Sequence, residues 1–269
     1  MRVAFFSPLP PAKSGIADYS QALLEHLAAS GGDGSLQVET FPAKPAAFDA
    51  SRYDVCLYQL GNNPYHDFVY EAAMEHPGVV VMHEANLHHL VADVTINRND
   101  WDGYVREVGL NHGKEAEEYA QRFVRTRQRA PDYSLAMMRT VLARSRGAIV
   151  HSEAVAAELR AHGFEGPIAR IPHGAWTEPV DRMRYRATLG LEERSPLIGV
   201  FGFLKPYKRI AESLRAFARL VRVLPEARMI LVGEAHPELP LTTLIGSLNL
   251  EQYVRHLDFV PMEDFNGYL

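Results

Sequence analysis

The sequence predicts an α/β protein made of two parallel-sheet units. Three observations predict it. Short apolar runs alternate with amphipathic stretches, the rhythm restarts near Leu197 after a proline-containing connection, and the two units open alike. The segments 3-VAFFSPLPPAKSGIADYSQALLEHL-27 and 198-IGVFGFLKPYKRIAESLRAFARL-220 each read as strand, proline-containing loop and helix. Strands buried on both faces of a parallel sheet are apolar throughout, and parallel neighbours need a crossover, usually a helix.

In chain order, the first unit offers strands at 2-RVAFFS-7, 36-LQVETF-41, 54-DVCLYQL-60, 78-GVVVMH-83, 147-GAIVHS-152 and 168-IARI-171. The helix predicted over 15-GIADYSQALLEHLAA-29 places Ile16, Tyr19, Leu23 and Leu27 on one face, with Ser14 as its cap. Residues 93–146 break the alternation and read as a polar, all-helical excursion. The first domain is predicted over 1–172 and the linker over 173–196; Pro172, Pro179 and Pro196 mark this connection. The second domain, 197–269, offers strands at 197-LIGVFGF-203, 227-ARMILVG-233 and 253-YVRHLDFV-260. Its helices are predicted over 208-KRIAESLRAFARLV-221 and near 241–248, and 261-PMEDFNGYL-269 reads as a third.

The bulk numbers narrow the function classes. Hydrophobic content is 47% and charged content 23%, as in ordinary globular chains. A net charge of −5 gives no reason to expect a nucleic-acid partner. The single cysteine, Cys56, excludes an internal disulfide and suits the cytosol. The apolar runs are far short of a membrane span. The N-terminus enters a strand-like segment with only Arg2 before it, unlike a cleaved signal peptide.

In open α/β sheets, ligands bind beyond the carboxyl ends of the strands, so the loops there carry the chemistry. In 201-FGFLKPYKRI-210, Lys205, Lys208 and Arg209 crowd an expected helix start, where cations are disfavoured. A phosphate bound at the helix N-terminus would offset the repulsion, with Gly202 allowing close backbone approach and Lys208 supplying a point charge. The alternative is a set of exposed basic residues tolerated at small cost. The spacing excludes a Walker A loop. In 8-PLPPAKSGIAD-18, Gly15 either brings backbone close to a phosphate or sugar or belongs to an ordinary strand-to-helix turn.

The stretch 78-GVVVMHEANLHHL-90 sets His83 and Glu84 at a strand end. His83 there is either an acid/base group or a hydrogen-bond partner for a substrate hydroxyl. The HExxxHH spacing differs from the HExxH zinc pattern, so no metal site is expected. The run 122-RFVRTRQR-129, with Arg139, Arg144 and Arg146, makes the helical excursion basic. It offers either peripheral contact with an anionic membrane surface or a solvated face paired with 115-EAEE-118. Ser152, between a strand and a helix, reads as a cap, because no G-x-S-x-G surrounds it.

Taken in order, four pieces resemble the retaining glycosyltransferases of family 4, which have the GT-B fold. These are 14-SGIADYS-20; 78-GVVVMHEANLHHL-90; 151-HSEAVAAELRAHGF-164 with 168-IARIPHG-174; and 201-FGFLKPYKRI-210 with 229-MILVGE-234. The resemblance implies two Rossmann-like domains facing a cleft, with a glycan or lipid-linked acceptor mainly on the first. A nucleotide-diphosphate sugar would bind mainly to the second, and catalysis would need no metal and no cofactor. It implies that Lys208 holds the donor diphosphate, helped by Gly202 and Arg209, and that Gly15 brings its loop toward the diphosphate or sugar. His83 would sit near the reacting sugar, with Glu84 on the acceptor side, and Gly233 and Glu234 near the nucleotide. Transfer would retain the anomeric configuration. From the single cysteine and the basic excursion, the expected location is the cytoplasm or the inner face of the membrane.

Two departures accompany the resemblance. Phe203 stands where the family usually has an arginine, leaving Lys205 or Arg209 to compensate. The family's acidic E-x7-E-type motif has no counterpart before residue 269, so the donor domain reads as incomplete, and the chain as a fragment or a truncated frame that is inactive by itself. The alternatives are a non-catalytic nucleotide- or sugar-binding protein derived from the same fold, and a nucleotide-sugar epimerase of GT-B type. The pieces 14-SGIADYS-20 and 168-IARIPHG-174 point away from the epimerase.

Overall fold

A computed structural model describes residues 1–30, 36–126, 134–174, 180–258 and 260–268. Pro179 of the expected linker, Arg127 and Arg129 of the basic run, and Phe259 of the last expected strand lie outside the described residues. The chain divides into two compact units, Met1–Gly174 and Ala175–Leu269.

The first unit is built on β1 (Arg2–Phe6), β2 (Gln37–Phe41), β3 (Val55–Leu60), β4 (Val79–Met82), β5 (Gly147–Val150) and β6 (Ile168–Arg170). They form one six-stranded sheet in the order β2-β1-β3-β4-β5-β6, and every pairing is parallel. The order reverses between β1 and β3, which makes their carboxyl ends the topological switch point. Helix α1 (Gly15–Ser30) follows β1, α2 (Asp67–Glu75) follows β3, and α3 (His88–Val94) follows β4. The excursion contains α4 (Trp101–His112), α5 (Lys114–Thr126) and α6 (Arg139–Arg144), and α7 (Glu153–Ala161) links β5 to β6.

Local signals explain the boundaries. The Ile16 N–H donates to Ser14 Oγ at 3.3 Å, and the Val155 N–H to Ser152 Oγ at 3.3 Å, so both expected caps form. Between α4 and α5, Gly113 takes φ +86°, a turn only glycine makes without strain. Acidic Glu115 and Glu117 open α5 and Arg125 closes it, each sign matching the helix dipole. The core lies on the sheet: Ala4, Phe6, Tyr58, Leu60, Val80, Met82 and Val150 are at most 1% exposed and pack with Leu87, Leu90 and Leu142. Full burial of each large apolar side chain contributes about 1.5–3 kcal/mol.

The second unit begins its described part with α8 (Arg182–Thr188). It then holds β7 (Leu197–Phe201), α9 (Ile210–Leu220), β8 (Arg228–Val232), α10 (Leu241–Ser247), β9 (Val254–Leu257) and α11 (Met262–Tyr268). The three strands form a parallel sheet in the order β7-β8-β9. Central β8 buries Met229–Val232, each at most 4% exposed, and Leu214 and Phe217 of α9 pack in the same core with Leu204 and Leu250. No described helix is long and apolar enough to cross a membrane.

Candidate functional site

Because β1 and β3–β6 run parallel, their carboxyl ends share one edge of the first unit, and the loops there gather polar side chains. His83 directly follows β4, and its N–H donates to the Leu60 carbonyl at 3.3 Å. Its Nε2 lies 2.7 Å from Gln59 Oε1 on β3. Around it stand Tyr19 of α1 at 5.1 Å and His151, which follows β5, at 4.7 Å, measured between ring centroids. His173, beyond β6, lies 5.0 Å from His151 and 4.7 Å from Tyr19. Burial, then the neighbouring imidazoles His151, His173 and His66, push the His83 pKa down to about 3. His83 is therefore neutral at physiological pH and suited to hydrogen bonding rather than to delivering a proton.

Glu84 is exposed and accepts the Asn62 N–H at 3.3 Å; desolvation nevertheless raises its pKa. Asn62 also donates through Nδ2 to Asn86 Oδ1 at 3.1 Å and accepts the Leu90 N–H at 3.0 Å. It thereby ties the loop after β3 to the loop after β4. Gly15 is open: a Cβ there would meet nothing within 4 Å, and its backbone lies outside the left-handed region. The fold itself makes no demand for glycine at this position.

Below this edge sits His66, which is 0% exposed, with Nδ1 2.8 Å from the Gln59 carbonyl. Burial lowers its pKa to about 4. A histidine whose pKa is lower folded than unfolded binds its proton more readily in the unfolded chain. Its stabilising effect is complete above about pH 6.5 and is lost as pH falls toward about 4. At pH 5, His66 alone removes about 2 kcal/mol. The melting temperature is expected to fall steadily between pH 7.5 and 5, with a shallower fall in His66→Phe; equal slopes would show that His66 does not set the acid response.

In the second unit two glycine turns meet. Gly202 follows β7 with φ +88°, and Gly233 follows β8 with φ +137°. The Gly202 N–H donates to the Val232 carbonyl at 2.8 Å, and the Gly233 N–H to the Leu257 carbonyl at 2.8 Å. A Cβ on Gly233 would stand 2.3 Å from the Gly202 oxygen, so the two backbones touch. The Lys208 amine folds back over this turn, 3.1 Å from where a Gly202 Cβ would be. Desolvation, then repulsion from Lys205, lowers the Lys208 pKa. The Glu234 side chain is exposed, while its carbonyl accepts the Leu204 N–H at 2.9 Å.

The expected helix start at Lys208 is corrected. Residues Pro206–Lys208 form a 3₁₀ turn, and Arg209, at φ 58° and ψ 37°, is the N-cap of α9 without a side-chain cap bond. The three cations therefore precede the helix, and its first turn carries Glu212, which the dipole favours. Arg209 Nε lies 3.9 Å from Glu212 Oε1. A separate cavity of about 750 Å³ runs beside β7 and is lined by Arg182, Arg186, Leu197 and Tyr268, but not by Gly202 or Lys208. The Arg186 guanidinium there already donates to the carbonyls of Glu192 and Ser195.

Comparisons with known proteins agree with this architecture. The model of the family described as "Glycosyl transferases group 1" matches residues 181–269. A comparison with curated proteins gives no match. Among solved structures, HepE from Anabaena in complex with UDP is similar at 16% identity and TM-score 0.57, over 99% of this chain and 71% of that one. WaaG, a glycosyltransferase involved in lipopolysaccharide biosynthesis, is similar at 14% identity and TM-score 0.54, over 98% of this chain and 71% of that one. The fold is GT-B-like. A UDP-GlcNAc 2-epimerase from Neisseria meningitidis shares it at 9% identity and TM-score 0.52, over 99% of this chain and 74% of that one. A GT-B-like fold thus accompanies more than one chemistry, and the residues must argue the function.

The expected site residues fall into two groups. Gly15, His83 and Glu84 lie at the loop edge of the first unit; Gly202, Lys208, Arg209, Gly233 and Glu234 lie in and around the paired turns of the second. Sequence reasoning missed Gln59, Asn62, His66, Tyr19, His151 and His173 as members of the first group. His151 and His173 were open to the rule that singled out His83, since each follows a strand of the same parallel sheet.

Proposed function

We propose that this chain belongs to a glycosyltransferase that moves a sugar from a nucleotide-diphosphate sugar to a glycan or lipid-linked acceptor. The observation that carries the reading is the Lys208 amine held over the Gly202 turn, ahead of a helix that lacks a side-chain cap. The family match over residues 181–269 supports it. When the bond between the anomeric carbon and the diphosphate breaks, negative charge grows on the departing phosphate. The Lys208 cation and the free N–H groups at the start of α9 stabilise that charge. Lys205 supplies the second cation in place of the arginine that Phe203 replaces, because Arg209 faces Glu212.

In this reading the paired turns at Gly202 and Gly233 let backbone approach the diphosphate, and Glu234 faces the nucleotide. His83, neutral, hydrogen-bonds a sugar hydroxyl near the reacting carbon, and Glu84 serves the acceptor side. The open space at Gly15 admits the diphosphate or sugar. Transfer proceeds with retention and without a metal, and the basic excursion gives peripheral contact with the inner face of the membrane.

A thermal-shift screen of nucleoside diphosphates and their sugars, followed by product analysis, tests the reading. A transferase is stabilised by one nucleoside diphosphate and releases it in step with a new glycoside. Stabilisation without turnover identifies a binding protein, inversion within an intact nucleotide sugar identifies an epimerase, and no stabilisation by any nucleotide ends the proposal.

A further inference from the structure

Gln59 is a polar residue at the inner end of an otherwise apolar strand, and it is 0% exposed. Burying an amide is unfavourable unless its polar atoms find partners. Its carbonyl oxygen Oε1 has one, His83 Nε2 at 2.7 Å, whereas its Nε2 is buried with no partner among the described residues. The main chain of Gln59 is held as well, since His66 Nδ1 lies 2.8 Å from its carbonyl oxygen. An amide oxygen accepts and does not donate, so the proton of this contact belongs to His83.

We infer that Gln59 is a positioning residue that locks His83 in the Nε2–H tautomer and turns its Nδ1 lone pair outward as a hydrogen-bond acceptor. The two ring nitrogens of histidine differ in role, and the partner of one dictates what the other can do. With Nε2–H committed to Gln59, His83 recognises a hydroxyl that donates. It has no proton to offer a phosphate or carbonyl oxygen. A sugar hydroxyl has that chemistry. The ring is also fixed in rotation, because Gln59 stands on β3, the strand that pairs with β4 directly before His83. This role for Gln59 rests on the proposed glycosyl transfer only where it names the hydroxyl as a sugar's; the tautomer lock stands apart from it.

Two-dimensional ¹⁵N–¹H spectra of the histidine rings at pH 7.5 test the lock, with His83→Asn identifying the His83 signals. The expected result is a protonated, pyrrole-type Nε2 and an unprotonated, pyridine-type Nδ1. In Gln59→Leu, which keeps a buried side chain of similar bulk, the two tautomers are expected to mix. In Gln59→Glu, the introduced carboxylate is expected to raise the His83 pKa by at least one unit, an effect a merely space-filling side chain would not produce. A wild-type spectrum with the proton on Nδ1 overturns the inference, even if no variant folds. So does an unchanged tautomer in a folded Gln59→Leu. These readouts need no substrate, so a protein that passes them yet binds no nucleotide sugar overturns the functional reading and leaves the lock in place.

Discussion

Gly233→Ala is expected to lower the stability of the second unit by about 3 kcal/mol or more. Two effects add. At φ +137° an alanine is held in a region of backbone space that L side chains avoid. Its Cβ would also stand 2.3 Å from the Gly202 oxygen and 2.6 Å from the Gly202 carbonyl carbon, and both are main-chain atoms that no rotamer change can move aside. Relief requires the turn after β7 to separate from the turn after β8, which strains the bonds from Gly202 to Val232 and from Leu204 to Glu234. Chemical denaturation followed by fluorescence and circular dichroism measures the loss. Gly246→Ala in α10 is the control: its Cβ meets only Glu251 Oε1, at an ordinary 3.5 Å, and no loss of stability is expected. Equal stability of the two variants would mean that the backbone contact between the turns does not form.

Lys208→Ala is expected to weaken nucleoside diphosphate binding by about 1.5–3 kcal/mol, the usual range for a lost hydrogen bond to a charged group, or roughly 10- to 150-fold in affinity. The free protein already holds this amine beside Lys205 in a partly desolvated position, and both influences lower its pKa. A bound diphosphate removes that tension and gains a cation placed before it arrives. Stability is expected to be unchanged or slightly raised, because the variant removes a repulsion and no salt bridge of Lys208 among the described residues. Isothermal titration calorimetry on wild type and variant decides. An unchanged affinity would remove Lys208 from the donor site. A drop with Lys205→Ala that approaches the Lys208 effect would identify the second cation.

The sheets were legible in the sequence because strands such as Val79–Met82 and Met229–Val232 are buried on both faces and leave an unbroken apolar run. Ser14 and Ser152 were legible because a hydroxyl at that spacing has one obvious use. The start of α9 was not, since a periodic apolar face at Ile210, Leu214 and Phe217 says nothing about a left-handed arginine before it. That conformation is uncommon for arginine and is set by tertiary context. His83 could be read from its place after a strand, whereas its partner Gln59 could not. A single polar residue in an apolar strand carries no sign of which neighbouring strand will supply its hydrogen bond, and only the pairing of β3 with β4 reveals it.

The bonds made by Asn62 have a bearing on redesign. One side chain joins two segments that carry different parts of the loop edge, reaching Asn86 and Leu90 on the far side. Grafting either segment alone from another scaffold would tear this seam, so the pair must be transplanted as a single cassette, Asn62 included, for a new specificity to arrive in working order.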